Sequence, residues 1–424
     1  VPYTAKNGDS WIARTAAVGT QDDDANGTDA VADESTIATT CDDGRIILDN
    51  GLLRAIIAPD GTVRSLIDLD NGHELVPDGS GIGHYELLRD EPYEWDAWDI
   101  QRDAFLSAEG IDDSHVERVT ETKRGGATVH VSSTTDGVSI DACITLRAKS
   151  KSLEFRTKVD WRASERFLKV DIPMAIQADR AQYECQYGMV ERPIQKNTRS
   201  DEAKYESCTH RFVRVADAGY AAAVVNASTY GSDVSPIHRN TASGPVRGTM
   251  IRLSLLSSPL YPDPNTDKGV HEFAWNVVAD ASMPAVLDEA NRLNAAVLPA
   301  MPAFDPLAQL NPVDGVMVLD WVKLADDGSG DLILRVYEAV GGEAHARLAV
   351  NAALGKATVR ECSIMEDARL DAELPAAFAD GDPSVARTAQ GAMLSLHPFQ
   401  LATLRVSCGS DGGNTDGNES GSLR

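Results

Sequence analysis

Residues 45–68 of this 424-residue chain read RIILDNGLLRAIIAPDGTVRSLID, and this stretch decides the fold class. It contains three short runs rich in isoleucine, leucine and valine, separated by Asn50-Gly51 and by Pro59-Asp60-Gly61. Asn-Gly and Asp-Gly pairs between such runs are hairpin signals, because these residues tolerate the backbone angles of tight turns. The stretch therefore predicts a series of short strands joined by tight turns.

The same pattern continues along the chain. Residues 127–133, 138–146 and 153–161 alternate between apolar and polar side chains, which indicates sheets with one wetted face. Residues 283–294 are the best helix candidate, and the prolines that follow are expected to end that helix. Because strands dominate, we expect an all-β protein.

Composition shifts divide the chain into segments. Beyond residue 312, about a hundred residues of short β-rich runs with Gly and Asp turns are typical of a small β-sandwich. We expect, in chain order, an N-terminal segment with a mobile acidic loop at 1–40, a large β unit at 41–302, a linker at 303–312, the small β-sandwich at 313–408 and a disordered tail at 409–424.

Charge and cysteine content limit the function classes. The chain has 65 acidic and 39 basic residues, a formal net charge of −26 that should repel nucleic acid and anionic membranes. The six cysteines are widely spaced and suggest neither a zinc knuckle nor a disulfide framework. No apolar run approaches the ~20 residues of a membrane span and no signal segment opens the chain, so a reducing cytoplasm is the expected location. The sequence leaves open whether the protein forms a homo-oligomer.

The stretch Pro92–Ile100, PYEWDAWDI, combines two tryptophans with two aspartates. Indole rings can lie against the apolar face of a sugar, and carboxylates accept hydrogen bonds from its hydroxyls. Strand alternation would separate Asp96 from Trp95 and Asp99, so a turn or bulge is needed to aim both acids at one ligand. The alternative is that Trp95 or Trp98 is a core residue and the aspartates cap strand ends.

Two further segments are candidate ligand contacts. Glu191 and Arg192 stand side by side before a proline, which suits either a salt-bridged strand end or a ligand-facing turn. The loop from Pro259 to Gly269 contains three prolines, and stiff polar loops on a sheet scaffold are common binding edges. The same loop could also be a plain connection.

Other chemistry lacks a sequence signal. None of the nine histidines forms an HxH, HxD or HExxH pattern, and the nearby pair Asp113 and His115 is interpreted as an exposed loop pair. There is no GxSxG motif and no glycine-rich phosphate loop. We therefore expect no metal site and no nucleophile in this chain.

Taken in order, many segments resemble the C-terminal half of a glycoside hydrolase family 38 α-mannosidase, of the bacterial and cytosolic branch. The matching segments are Asn50–Arg54, Asp60–Asp68, Trp95–Asp99, Val159–Trp161, Tyr187–Pro193, Lys204–Phe212, Asn226–Gly231, Leu253–Pro259, Asp267–His271, Leu332–Glu338 and His397–Gln400. The resemblance covers roughly residues 45 to 406.

The resemblance implies a fold for this chain and a role for each domain of the complete enzyme. The large unit is expected to be a β supersandwich similar to galactose mutarotase, followed by a small C-terminal β-sandwich. In the complete family an N-terminal barrel holds a zinc ion through two Asp and two His, and one of these Asp residues is the nucleophile of a retaining mechanism. This chain shows no such barrel, zinc ligands or nucleophile motif, so we expect it to be inactive alone.

Three functions follow as hypotheses. The first is that the chain is the β portion of an α-mannosidase, which supports its own catalytic domain and lends loops to the site for a mannose-containing oligosaccharide. The expected substrate contacts are Trp95, Asp96, Asp99, Asp263 and Asp267, with Glu191 and Arg192 as a second choice. The alternatives are a free-standing carbohydrate-binding protein, or an aldose epimerase with a His and Glu pair drawn from His210 and Glu206 or from His271 and Glu272.

Overall fold

The computed structural model describes residues 2–7, 10–15, 36–122, 125–227, 229–242, 244–294, 307–351, 356–367, 387–388 and 392–409. They divide into two compact units. The larger unit lies within Thr28–Ala296, and the smaller one is formed by residues within Val1–Gly27 and Val297–Arg424.

Strands make up most of the described residues of both units, and three helices occur among these residues. The elements are, in chain order, β1 (Pro2–Asn7), β2 (Ser10–Thr15), β3 (Ile37–Thr40), β4 (Ile46–Asp49), β5 (Leu53–Ile57), β6 (Val63–Asp68), β7 (His73–Glu74), β8 (His84–Arg89), α1 (Arg102–Leu106), β9 (Glu109–Gly110), β10 (Asp113–Glu121), β11 (Ala127–Thr135), β12 (Val138–Leu146), β13 (Ser152–Trp161), β14 (Arg166–Met174), β15 (Arg180–Cys185), β16 (Gly188–Pro193), α2 (Arg199–Glu202), β17 (Ser207–Cys208), β18 (Phe212–Ala216), β19 (Ala221–Ala227), β20 (Gly231–Thr241), β21 (Gly244–Ser257), β22 (Gly269–Val278), α3 (Met283–Asn294), β23 (Ala308–Asp314), β24 (Met317–Leu324), β25 (Leu332–Glu338), β26 (Ala344–Val350), β27 (Lys356–Cys362), β28 (Arg387–Thr388), β29 (Ala392–Leu396) and β30 (Leu401–Gly409).

The larger unit contains three antiparallel sheets. A five-stranded sheet has the order β3-β4-β5-β6-β7, so the stretch at residues 45–68 forms consecutive hairpins as its turn residues predict. A nine-stranded sheet has the order β10-β11-β12-β13-β22-β19-β18-β15-β16. A six-stranded sheet has the order β17-β20-β21-β14-β8-β9. The predicted all-β fold class is confirmed.

One contiguous apolar core joins the three sheets of this unit. Phe155 on β13 and Trp275 on β22 are paired across neighbouring strands, and their rings stack with centroids 3.8 Å apart. Both side chains are about 1% exposed, as are many aliphatic residues around them. Aromatic pairs of this kind add to the free energy gained from area burial, so this stack anchors the middle of the nine-stranded sheet.

The helix predicted over residues 283–294 is present as α3, and it packs on β19 and β22. Its buried apolar residues Val286, Leu287 and Ala290 share one face because side chains three or four positions apart lie on the same side of a helix. Glu289 lies on that buried face and accepts a hydrogen bond from Nδ2 of Asn276 at 2.6 Å. This bond ties the helix to the sheet.

The smaller unit contains two five-stranded antiparallel sheets. One has the order β1-β2-β23-β26-β29 and the other β24-β25-β30-β27-β28. Strand β24 contacts β23 and β26 of the first sheet, so the two sheets face each other. This is the small β-sandwich that the strand pattern predicts.

The predicted linker at 303–312 is wrong over its second half. Residues 308–312 belong to β23, which pairs with β2 and with β26. The pairing with β26 shifts between Pro312 and Asp314. Proline lacks an amide donor and is tolerated at such irregularities, so a proline that suggested a linker lies inside a strand.

The predicted boundaries of the N-terminal segment are also wrong. Strands β1 and β2 form a hairpin whose second strand pairs with β23, so they belong to the small sandwich about 300 residues later in the chain. Strand β3 pairs with β4 and belongs to the larger unit. A partner so distant in sequence leaves no local signal. The predicted mobile acidic loop and the predicted tail beyond residue 409 lie outside the described residues.

Among the helices of the described residues, none combines the length and the apolar character needed to cross a bilayer.

Replacing Phe155 with alanine should destabilise the larger unit by about 3–5 kcal/mol, because it removes the ring stacked on Trp275 and leaves a cavity in a sealed core. Chemical denaturation followed by tryptophan fluorescence measures this loss. Ile37→Ala is the matched control in the same unit, since Ile37 is 64% exposed. Equal free energies of unfolding for the two variants would contradict this account of the core.

Candidate functional site

Strand alternation gives the six-stranded sheet one apolar and one polar face. On β14, Leu168, Val170 and Ile172 belong to the apolar core of the larger unit. Lys169 and Asp171 point the other way because successive side chains alternate. They lie opposite Glu86 and His84 of β8. The face of the sheet that points away from the core therefore carries charged side chains at its centre, and we call it the polar face.

Lys169 is fully buried and is surrounded by acceptors. Its Nζ donates to Oδ2 of Asp233 at 2.9 Å and to Oγ of Ser254 at 2.7 Å, and it also donates to the carboxylate of Glu206. A buried ammonium is tolerated only when it is paired and hydrogen bonded. The Lys169 network, made of these four residues, joins β14, β20, β21 and the segment before β17.

Arg252 extends this network across the sheet. Its guanidinium donates to Oδ1 of Asp233 and to Oε2 of Glu86, each at 3.0 Å. Burial raises the pKa of Glu86, and the negative charge of Asp171 adds to the increase while Arg252 opposes it. The ring of Phe105 in α1 lies over both cations, 5.4 Å from Nζ of Lys169 and 5.5 Å from Cζ of Arg252.

An open cleft of about 560 Å³ adjoins this face. Helix α1 and the segment around α2 form its walls, and the rings of Phe105 and Tyr205 stack at 5.6 Å between them. The cleft combines aromatic, cationic and anionic side chains. Six of its lining residues are Arg102, Phe105, Lys196, Tyr205, Asp233 and Arg252.

The tryptophan-rich stretch forms a tight turn in front of α1. Trp95 has a positive φ of 62°, and its carbonyl accepts hydrogen bonds from the amides of Trp98 and Asp99. Trp95 and Trp98 are 69% and 68% exposed, so the alternative that either one is a core residue is wrong. The hydroxyl of Tyr93 approaches Oδ2 of Asp103 at 3.5 Å, which connects the turn to α1.

Asp96 connects this turn to the proline-rich loop. Its Oδ2 accepts hydrogen bonds from the backbone amides of Leu260 and Tyr261, both at 2.8 Å. Two predicted contact segments that are 164 residues apart in sequence therefore meet. We call the resulting exposed apolar surface the aromatic rim. Its members are between 42% and 82% exposed and are Tyr93, Trp95, Trp98, Leu106, Leu260 and Tyr261.

The aspartates predicted as substrate contacts differ in what they already do. Asp96 uses one carboxylate oxygen to hold the proline-rich loop. Asp99 is exposed and accepts from the amide of Ile100, and Asp263 is exposed and accepts from the amide of Asn265. Asp267 has a positive φ of 58° and is exposed, and its carbonyl oxygen lies 2.7 Å from Nε2 of His271. Their role as substrate contacts stays a prediction.

The second-choice pair lies on a different sheet from the Lys169 network. Glu191 and Arg192 are exposed on β16, the edge strand of the nine-stranded sheet. The carboxylate of Glu191 contacts Arg180 at 3.3 Å and Gln182 at 2.8 Å on the neighbouring strand. This contact fits the salt-bridged strand end that the sequence left open, and ligand contact stays a prediction.

Sequence reasoning missed the central residues of the polar face. Lys169, Asp171 and Arg252 are charged residues inside otherwise apolar strand sequences, FLKVDI and MIRLSL. Burying a charge in the middle of a strand is costly unless the charge is paired. These charged residues could therefore have indicated a paired polar group inside the fold. The sequence does not show which residues are its partners.

The pairs considered for an epimerase are not formed. Glu206 binds Lys169, while Nδ1 of His210 lies 3.6 Å from Oε2 of Glu184. His271 contacts the carbonyl of Asp267. Glu272 is exposed and follows His271 directly on β22, where successive side chains point to opposite faces of the sheet.

Replacing Asp96 with alanine should speed amide hydrogen exchange at Leu260 and Tyr261 by about 10- to 150-fold, because hydrogen bonds to a charged acceptor contribute roughly 1.5–3 kcal/mol. Exchange measured by mass spectrometry or NMR checks this. Asp99→Ala is the control, since its side chain accepts from the amide of the next residue and makes no contact with the proline-rich loop in the described part of the chain. Unchanged exchange in the Asp96 variant would show that the loop is held by other contacts.

Models of known protein families match both units. The model described as the glycosyl hydrolases family 38 C-terminal domain matches residues 48–265, about half of the chain. The model described as the glycosyl hydrolases family 38 C-terminal beta sandwich domain matches residues 317–404.

Known proteins give the same result. Alpha-mannosidase 2C1 of Mus musculus is 29% identical over an alignment 348 positions long, which covers 76% of this chain and 31% of that protein. An alpha-mannosidase of Saccharomyces cerevisiae is 26% identical over an alignment 405 positions long, which covers 88% of this chain and 36% of the relative. The crystal structure of an alpha-mannosidase from Enterococcus faecalis V583 superposes with a TM-score of 0.59 at 14% identity, covering 85% of this chain and 42% of that one.

The chain spans about a third of the length of the curated relatives it matches. The family model that matches half of the chain nevertheless decides its membership. The chain therefore belongs to glycoside hydrolase family 38, and its two units match the two C-terminal domain models of that family.

Proposed function

We propose that this chain is the C-terminal β region of an enzyme that hydrolyses terminal α-D-mannosyl residues, and that its aromatic rim contributes to the carbohydrate site of that enzyme. One observation carries the second half of the proposal. Asp96 joins the tryptophan turn to the proline-rich loop, so the two segments that carry these exposed aromatic side chains meet. Isolated exposed aromatics are common on proteins, but a contiguous group usually marks a binding surface.

The chemistry of the rim suits a sugar. Indole and phenol rings offer flat apolar faces for the C–H side of a pyranose ring. The exposed carboxylates of Asp99, Asp263 and Asp267 can accept hydrogen bonds from its hydroxyls. In this role the chain orients an oligosaccharide and excludes water from part of the site, while other groups break the bond.

The catalytic zinc of the family does not fit the described residues. The resemblance implies a set of two Asp and two His, whereas the group of potential metal ligands found among the described residues is His84, Glu86 and Asp171, with a single imidazole. We therefore assign no zinc-dependent step to this chain. We place the nucleophile, the retaining mechanism and the catalytic zinc in the N-terminal catalytic barrel of the complete enzyme, as partner of this β region.

We also propose that the protein works in the cytoplasm. Cys41, Cys143, Cys185, Cys208 and Cys362 are free thiols. Five free thiols suit a reducing compartment, since secreted proteins usually join their cysteines in disulfide bonds.

The proposal predicts that hydrolysis requires the catalytic barrel. With added zinc, this chain alone should not release nitrophenol from p-nitrophenyl α-D-mannoside, and the same chain joined to the catalytic barrel of a family 38 α-mannosidase should release it. Nitrophenol release measured by absorbance checks both. Turnover by this chain alone would overthrow the assignment of roles, and sugar binding without turnover by the joined protein would favour a free-standing carbohydrate-binding protein.

The rim predicts a second effect in the joined protein. Trp95→Ala and Trp98→Ala should each raise KM for a mannose-containing oligosaccharide by about 2- to 12-fold, since an aromatic contact contributes roughly 0.5–1.5 kcal/mol. Initial-rate kinetics measure this change. Trp321→Ala is the control because Trp321 is similarly exposed, at 53%, in the smaller unit. If all three variants give the same KM as the parent, the rim does not bind the substrate.

A further inference from the structure

A group of three potential metal ligands lies on the polar face of the six-stranded sheet, separate from the aromatic rim. His84 and Glu86 are two apart on β8, so their side chains lie on the same face. Asp171 on β14 is paired directly with His84. One ligand atom from each side chain lies within 4.8 Å of the other two. We call these three residues the His84 cluster.

Asp171 supplies an independent sign of a missing ligand. The residue is only 9% exposed, and its Oδ1 atom is buried without a hydrogen-bond partner among the residues that the structure describes. Its Oδ2 atom lies 3.9 Å from Nδ1 of His84, which is beyond hydrogen-bond length. Leaving a carboxylate oxygen both desolvated and unpaired is costly, so this position is expected to have a partner.

The site is accessible and its imidazole is held in place. His84 and Asp171 both line a cleft of about 230 Å³, which gives an ion and its waters access. A Cβ atom built on Gly110 would lie 2.6 Å from the ring of His84, so the ring packs closely against the backbone of Gly110. Oδ1 of Asp112 lies 3.7 Å from Nε2 of His84, the nitrogen that faces away from Asp171.

This arrangement has the features of a metal site with an outer carboxylate. Metal-ligating histidines generally use one ring nitrogen for the metal and the other for a carboxylate or carbonyl that fixes the ring. Nδ1 of His84 faces Asp171, and Nε2 faces Asp112. Glu86 gives one oxygen to Arg252, which leaves its other oxygen for an ion.

We propose that His84, Glu86 and Asp171 bind a divalent first-row cation such as Zn²⁺ or Mn²⁺, through Nδ1 of the imidazole and one oxygen of each carboxylate, with water completing the coordination. One imidazole with two carboxylates is a mixed nitrogen and oxygen set of the kind these ions accept, whereas Ca²⁺ requires six to eight oxygens. Ligands at about 2.0–2.2 Å from an ion are roughly 3–4 Å apart, so small side-chain shifts close the observed spacing. The cation would bridge β8 and β14.

Calorimetric titration of the metal-free 424-residue chain with Zn²⁺ tests the site. We expect the parent chain to bind one equivalent of Zn²⁺. In His84→Ala and in Asp171→Asn this binding should be lost or its affinity lowered. Because removing even an outer partner of a metal ligand costs about 10- to 100-fold in affinity, losing a ligand should cost at least as much. Zn²⁺ should also raise Tm for the parent chain but not for these two variants.

The control is His115→Ala. His115 also lies beside a carboxylate, with Nε2 at 2.9 Å from Oε1 of Glu117, but it is not part of the His84 cluster. This variant should keep the equivalent. Asp171→Asn preserves the shape of the side chain, so it remains informative if His84→Ala folds poorly. The proposal is wrong if the parent chain takes up no such equivalent, if both cluster variants retain it at full affinity, or if His115→Ala loses it equally.

Discussion

The buried ammonium of Lys169 is a physical constraint on which the six-stranded sheet depends. It lies at the centre of the sheet on β14, and it must be surrounded by Asp233, Ser254 and Glu206 to offset its desolvation. Those partners come from β20, β21 and the segment before β17. The register of four chain segments is thereby fixed, since a shift of one residue would bury a charge without a partner.

The need to pair Lys169 also determines where the other charged groups of the polar face lie. Arg252 contacts both Asp233 and Glu86, so it links the Lys169 network to the His84 cluster. Phe105 covers the two cations and thereby holds α1 against the sheet. Helix α1 in turn follows the tryptophan turn and lines the cleft. Lys169 and Arg252, covered by Phe105, thus connect helix α1 to the sheet that carries the His84 cluster.

The proposed function and the proposed cation site place different demands on the same sheet. The rim consists of exposed side chains on loops and of Leu106 at the end of α1, and loop side chains can adjust to a sugar without disturbing the core. The His84 cluster consists of side chains on paired strands, where the backbone fixes their spacing. A cation there would neutralise the repulsion between Glu86 and Asp171. Its expected effect is on the stability of the sheet, whereas bond breaking is assigned to the catalytic barrel.

The sequence by itself determined the all-β class, the hairpins of residues 45–68 and the helix at 283–294. These depend on turn residues and on side-chain periodicity, which act over a few positions. The ordered motifs also indicated family 38, and the exposed tryptophans belong to the stretch that the sequence selected. Only the tertiary structure decided that Asp96 holds Leu260 and Tyr261, that β2 pairs with β23, and that Asp171 lies opposite His84. These contacts join segments far apart in the chain, and no local preference encodes which distant partner satisfies a buried charge or an open strand edge.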